Sequence, residues 1–163
     1  MIMKKIAGLI FITLLFGLGY LYWLNDQLWR KIIPIELVLG STEYSNSDQQ
    51  GLTESCGVHV FELKQITINK INNEGLSFLN TAKQARGYED YYNSYGEWFK
   101  TPRKDWKRPE NWSSELMCSR LSTELQEILI KSGQGEGSFY SHGQEKTLMV
   151  IPKYKLIVLT HNG

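Results

Sequence analysis

Thr147-Leu-Met-Val-Ile-Pro-Lys-Tyr-Lys-Leu-Ile-Val-Leu-Thr160 decides the fold class. Residues 147–151 and 154–160 are rich in β-branched, aromatic and long apolar side chains, the types that suit a pleated surface. The Pro152-Lys153 link is short enough for a hairpin, although it lacks the Asn-Gly chemistry of the tightest turns. Both runs are apolar on both faces, so the sheet is expected to carry helices on one face and other chain on the second.

Working outward, residues 138–141 form a possible short strand, reached through Gly133-Gln-Gly-Glu-Gly137, which reads as a flexible connector. Residues 114–132 have helical spacing. Cys118, Leu121, Leu125 and Ile128 share one stripe, Ser113 is placed to cap the start and Gly133 to end it. A second helix is predicted over residues 67–85, where Ile68, Ile71, Gly75, Phe78, Leu79, Ala82 and Ala85 recur at steps of three and four. Thr67 fits its N-cap and Gly87 its stop, and Gly75 inside it suggests close packing. Residues 57–63 read as a strand. The order strand, helix, aromatic loop, helix, two or three strands is that of an α+β domain.

The fold class expected is therefore α+β: an N-terminal transmembrane helix, then a small exported domain with two helices packed on an antiparallel sheet of about three to four strands. Three regions are expected. Residues 1–31 form a cytoplasmic tip and a membrane anchor or signal helix, residues 32–55 a linker or edge strand, and residues 56–163 the exported domain. Residues 40–55 are mainly Ser, Thr, Asn, Asp and Gln, which favours a loop or tether.

The anchor reading rests on 19 uncharged residues starting at Ile6 and ending at Leu24. As a helix they reach about 28 Å, close to the hydrocarbon thickness of a bilayer. Lys4 and Lys5 precede the run, and Tyr20, Tyr22 and Trp23 close it, where aromatic rings favour the lipid–water boundary. Basic flanks stay inside, so the N-terminus is expected in the cytoplasm and the domain outside, as a single-pass protein of the cytoplasmic (inner) membrane. The competing reading is a cleaved signal, with residues 6–16 as its apolar region and Gly17-Leu18-Gly19 as the cleavage site. That would leave a secreted or periplasmic protein. A buried helix of a globular domain fits least, since no face of the run is polar.

Cys56 and Cys118 are the two cysteines. In an exported domain the pair reads as one disulfide. Closing a loop of roughly 62 residues would stabilise the fold by about 4 kcal/mol on the chain-entropy model. Two buried thiols are the alternative. Neither cysteine has a ligand at metal-binding spacing, and no metal or other cofactor is expected.

Residues 86–112 hold eight of the chain's 20 aromatic residues. Lys100, Arg103, Lys104, Lys107 and Arg108 crowd the second half, and Pro102 and Pro109 argue against regular structure there. One reading packs these aromatics onto the domain. A second makes them a recognition surface, built from Tyr92, Tyr95, Trp98, Arg103, Lys104, Trp106, Lys107, Arg108 and Trp112, because Tyr, Trp and Arg dominate binding hot spots. A third uses the cations on anionic headgroups or wall polymers and the rings on sugar faces.

Catalytic motifs are missing. His59, His142 and His161 are isolated in sequence, and there is no metal-binding histidine pair, nucleophile elbow or phosphate loop. Beyond residue 31 the chain carries 14 basic and 16 acidic side chains, which excludes a generally basic nucleic-acid binder. The reading favoured is a non-enzymatic binding or accessory protein at the cell envelope, attached to the membrane by its N-terminal helix and acting through an envelope protein partner. A protective factor of immunity or exclusion type is its narrower form. The alternatives are a cell-wall glycan-binding domain or hydrolase, with His59, His142 or Glu97 converging in a cleft, and a structural subunit of a membrane complex.

Overall fold

The computed structural model describes residues 2–49, 55–106, 116 and 119–162. The element order is α1 (Ile2–Ile32), β1 (Leu39–Gln49), β2 (Ser55–Leu63), α2 (Gln65–Glu74), α3 (Leu76–Leu79), β3 (Tyr95–Lys100), α4 (Thr123–Gln134), β4 (Phe139–Gly143), β5 (Lys146–Ile151) and β6 (Leu156–Asn162). The strands form one antiparallel sheet of six, in the order β1-β2-β6-β5-β4-β3.

The class is α+β, but the expected transmembrane helix is corrected. Residues 2–32 are helical, yet among the described residues no helix is long and apolar enough to cross a membrane. The run of described uncharged side chains, residues 11–24, is succeeded by Asn25, Asp26 and Gln27. The last turns of α1 belong to the domain, where Trp29 and Ile32 pack against its core. The sheet is also larger than the three to four strands expected.

The hairpin 147–160 becomes β5 and β6, joined by a 3-10 turn at Pro152–Tyr154 that closes with Lys155 in the left-handed region at φ 55°. Every residue of β5 is buried, because the sheet is covered on both faces. Phe61, Leu63, Leu148, Val150, Ile157 and Leu159 meet α2, α3 and the last turn of α1. Val58, Val60, Met149, Ile151 and Val158 meet Leu129 of α4 and Trp106.

The helix predicted over residues 67–85 is two short helices. Gly75 adopts φ 57° and ψ −128°, and its N–H reaches the carbonyl of Ile71 to end α2. A Cβ built there would meet nothing within 4 Å, so Gly75 supplies a backbone conformation, not close packing. The helix predicted over residues 114–132 is described from Thr123. Ser122 caps it, its hydroxyl accepting from the Leu125 N–H at 3.3 Å. The predicted cap Ser113 lies outside the described residues.

The region read as a linker or edge strand carries β1, which pairs with β2 from Leu39↔Leu63 to Gln49↔Ser55. Two register shifts interrupt that pairing. Such irregularities, with a polar composition, protect an outer strand from pairing with other chains.

Gly133 is the second-last residue of α4, and the C-cap is Gly135. A Cβ on Gly133 would fall 2.3 Å from the Trp106 ring. Exposed helix glycines gain roughly 1 kcal/mol when replaced by alanine. Gly133→Ala is expected to lose about 1–3 kcal/mol instead, as an overpacked core position. A urea titration checks the sign.

Candidate functional site

The aromatic-basic segment is mostly interior. Tyr95, Trp98, Arg103 and Trp106 are all buried. The Trp98 ring nitrogen donates to the Ala82 carbonyl at 2.9 Å, and the Tyr95 hydroxyl to the Ile32 carbonyl at 3.2 Å. The Arg103 guanidinium lies 4.2 Å from the Trp106 ring centroid and 5.2 Å from that of Tyr140, and it pairs with Asp105. Burial pushes the Asp105 carboxyl up, but the Arg103 bonds outweigh it and hold the group below the usual range. These four side chains pack the loop onto the domain and offer no contact area as the chain stands. Tyr92 and Lys104 are exposed. The Tyr92 hydroxyl donates to Glu145 at 2.6 Å, and its carbonyl accepts from the Lys146 ammonium at 2.5 Å. Lys107, Arg108 and Trp112 lie outside the described residues.

The largest exposed apolar surface is elsewhere. Every side chain from residue 11 to residue 25 of α1 is exposed, with Phe16 at 76% and Tyr22 at 68%. The exposure runs around the whole helix, so this part of α1 stands clear of the domain. Water is a poor environment for so many adjacent apolar groups.

The other end of α1 is fixed firmly. The Arg30 guanidinium bonds the Asp26 carboxylate at 2.6 Å, the Gly40 carbonyl at 2.9 Å and the Thr42 hydroxyl at 2.8 Å, and it lies over the Phe61 ring. Arg86 donates to the carbonyls of Ile33, Pro34 and Leu37 at 3.0, 2.9 and 2.7 Å. Gly87 N–H reaches the Lys31 carbonyl at 3.0 Å. The helix therefore leaves the domain as a rigid continuation of it.

Beside that junction two histidines come together. His59 on β2 and His161 on β6 face the α1 side of the sheet, and the Trp29 ring stacks on both, at centroid distances of 3.8 and 4.6 Å. His59 is fully buried, with Ser45 Oγ 2.8 Å from Nδ1 and Ser47 Oγ 3.2 Å from Nε2. Ser47 Oγ is also 3.3 Å from His161 Nε2. Burial, with His161 adding, pushes the His59 imidazole down to about 3, and burial lowers His161 as well. A serine hydroxyl between two imidazoles has the parts of a nucleophile–base pair. Here the Trp29 ring lies over both imidazoles, and His59 is held neutral. The arrangement is a hydrogen-bonded stack that seats α1 on the sheet. Sequence reasoning left His59 and His161 apart. The available signal was the alternation Ser45-Asn-Ser47, which puts two hydroxyls on one face of an edge strand.

His142 lies away from His59. Its Nδ1 is 3.1 Å from Thr147 Oγ1 and its Nε2 is 3.7 Å from Asp105. With Tyr91, Ser94, Tyr95, Gly96, Gly143 and Gln144 it lines an open cleft of about 550 Å³. Glu97 does not line that cleft. Among the described residues no group of three His, Cys, Asp or Glu side chains could hold a metal ion. Cys56 is buried and disulfide-bonded, and Cys118, the chain's other cysteine, lies outside the described residues.

The cleft thus has one histidine and no acid–base partner lining it. Comparison with protein-family models, curated proteins and solved structures found no match.

Proposed function

We propose that this chain is a non-enzymatic binding or accessory domain of the cell envelope, attached to a lipid surface through the projecting part of α1 and acting by contact with an envelope protein. The observation that carries the reading is the apolar exposure around the helix from residue 11 to residue 25, continuous with a rigid junction. Such surface favours the acyl boundary of a bilayer, and each buried side chain adds to the affinity. Tyr20, Tyr22 and Trp23 near the domain end suit the headgroup level. The rigid junction means that a lipid-bound helix would also orient the sheet. The disulfide-bonded state of Cys56 supports an oxidising compartment, outside the cytoplasm.

Flotation of the full chain with phosphatidylcholine–phosphatidylglycerol vesicles tests the attachment. The protein is expected to float with the vesicles, and a Phe16→Asp/Leu18→Asp variant to stay with the soluble fraction. Wild-type protein that stays behind, folded, would refute the lipid reading. The partner is sought with a photoreactive residue at exposed Tyr92, because Trp106 is buried. A dominant protein adduct in native membranes supports contact with a protein, and its absence counts against it.

A further inference from the structure

We infer that the cleft between the turn before β3 and the β4–β5 hairpin is a binding site for an uncharged saccharide. The inference stands apart from lipid attachment, which uses α1. The turn ahead of β3 is a 3-10 helix, Tyr91–Asn93, capped by Asp90, whose carboxylate accepts from the Asn93 N–H at 2.9 Å. The Ser94 hydroxyl closes it by donating to the Tyr91 carbonyl at 2.6 Å. This braced turn holds Tyr91 with 87% of its surface exposed. Among the described residues the Tyr91 side chain makes no hydrogen bond or ring contact, so its packing does not account for its position. A ring presented on a rigid turn gives contact area at little entropic cost.

The chemistry of the walls selects the ligand. Tyr91 supplies aromatic surface, Ser94, His142 and Gln144 supply hydroxyl, imidazole and amide groups, and Gly96 leaves the backbone open. No carboxylate, lysine or arginine lines the cleft among the described residues. That argues against phosphate, nucleotide or peptide-carboxylate ligands, which need opposite charge. A sugar ring has an apolar face for a tyrosine and a rim of hydroxyls for amide, hydroxyl and imidazole groups. The volume of about 550 Å³ lies in the range of small-molecule sites. One glycine sets the shape. A Cβ on Gly143 would fall 2.8 Å from the Ser94 carbonyl, so a side chain there would press the two walls apart, whereas one on Gly96 would lie in ordinary contact, 3.4 Å from the His142 carbonyl.

Titration calorimetry of the full chain with chitotetraose, cellotetraose and maltotetraose tests the inference. Binding of at least one is expected, weakened about tenfold by Tyr91→Ala and retained by Tyr91→Phe, which keeps the ring. Gln144→Ala is expected to lower affinity for the same sugar. Tyr91 is at the surface, so circular dichroism of Tyr91→Ala should match wild type. No binding of any of the three at millimolar concentration would overturn the inference, as would binding that Tyr91→Ala leaves unchanged. Vesicle flotation reads the lipid reading separately, so failure of one does not mimic failure of the other.

Discussion

Acidification from pH 7 to pH 5 is expected to cost the fold about 2 kcal/mol through His59 alone. The imidazole is fully buried between two serine hydroxyls and the Trp29 ring, and burial holds it near 3. An unfolded histidine titrates near 6.5. The proton is therefore bound by the unfolded chain over a range in which the folded chain refuses it. Stability from this group is complete above about 6.5 and falls as the pH drops from there toward 3. His161 is lowered in the same sense and steepens the loss. Burial is the leading cause at both imidazoles; the charge of His161 adds to it at His59, and a backbone hydrogen bond with Ser55 opposes it at His161. The carboxylates held low, Glu62, Asp90 and Asp105, lose stability only near and below the ordinary carboxylate range, about pH 4. The interval from 6.5 to 4.5 thus isolates the histidines. Urea titrations at pH 7, 6 and 5 measure the slope, and His59→Gln should flatten it. A wild-type stability that does not change across that interval would rule out the buried neutral imidazole.

The same residues show what could be read in the sequence. The β5–β6 hairpin was legible because strands buried on both faces must be apolar throughout, and composition alone reports that. What composition could not give is the destination of the apolar surface. Uncharged residues 6–24 suggest a membrane span, whereas the helix continues past them and its last turns, with Trp29 and Ile32, pack on the domain core.

Strand β1 was obscured because an outer strand faces water along one edge and much of its surface. Its polar alternation looks like a tether until β2 is beside it. β3 was hidden differently, inside an aromatic segment broken by proline, where Tyr95 and Trp98 take the buried positions. Arg103 and Trp106 show the sharpest failure of residue-type reasoning. Tyr, Trp and Arg mark binding surfaces, but they also form stacks that seal a loop. The choice depends on Asp105, Tyr140 and Gly133, of which the last two lie in distant parts of the chain. The His59–His161 pair was out of reach for the same reason: β2 and β6 are neighbours only once the sheet is assembled.

Arg86→Ala is expected to destabilise the protein by about 3 kcal/mol, since hydrogen bonds from a charged group are worth roughly 1.5–3 kcal/mol each and partly overlap in this cluster. The guanidinium closes the turn between α1 and β1 through three carbonyls, those of Ile33, Pro34 and Leu37. Ile33 and Leu37 are fully buried, so their backbone has little access to replacement water. Ile33 keeps the Arg86 backbone N–H at 3.2 Å, but Pro34 and Leu37 lose their side-chain donor. Arg86→Lys should recover only part of the loss, because an ammonium cannot reproduce the planar fork that spans separated carbonyls. Hydrogen exchange distinguishes a local effect from a general one. The Leu37 and Gly87 amides, bonded to the Pro34 and Lys31 carbonyls, are expected to lose protection first, ahead of amides in β5 and β6. If Arg86→Ala melts like wild type and those two amides stay protected, the clamp does not hold α1 on the sheet. In that case the Trp29 stack and the Arg30–Asp26 network would fix the helix direction without it.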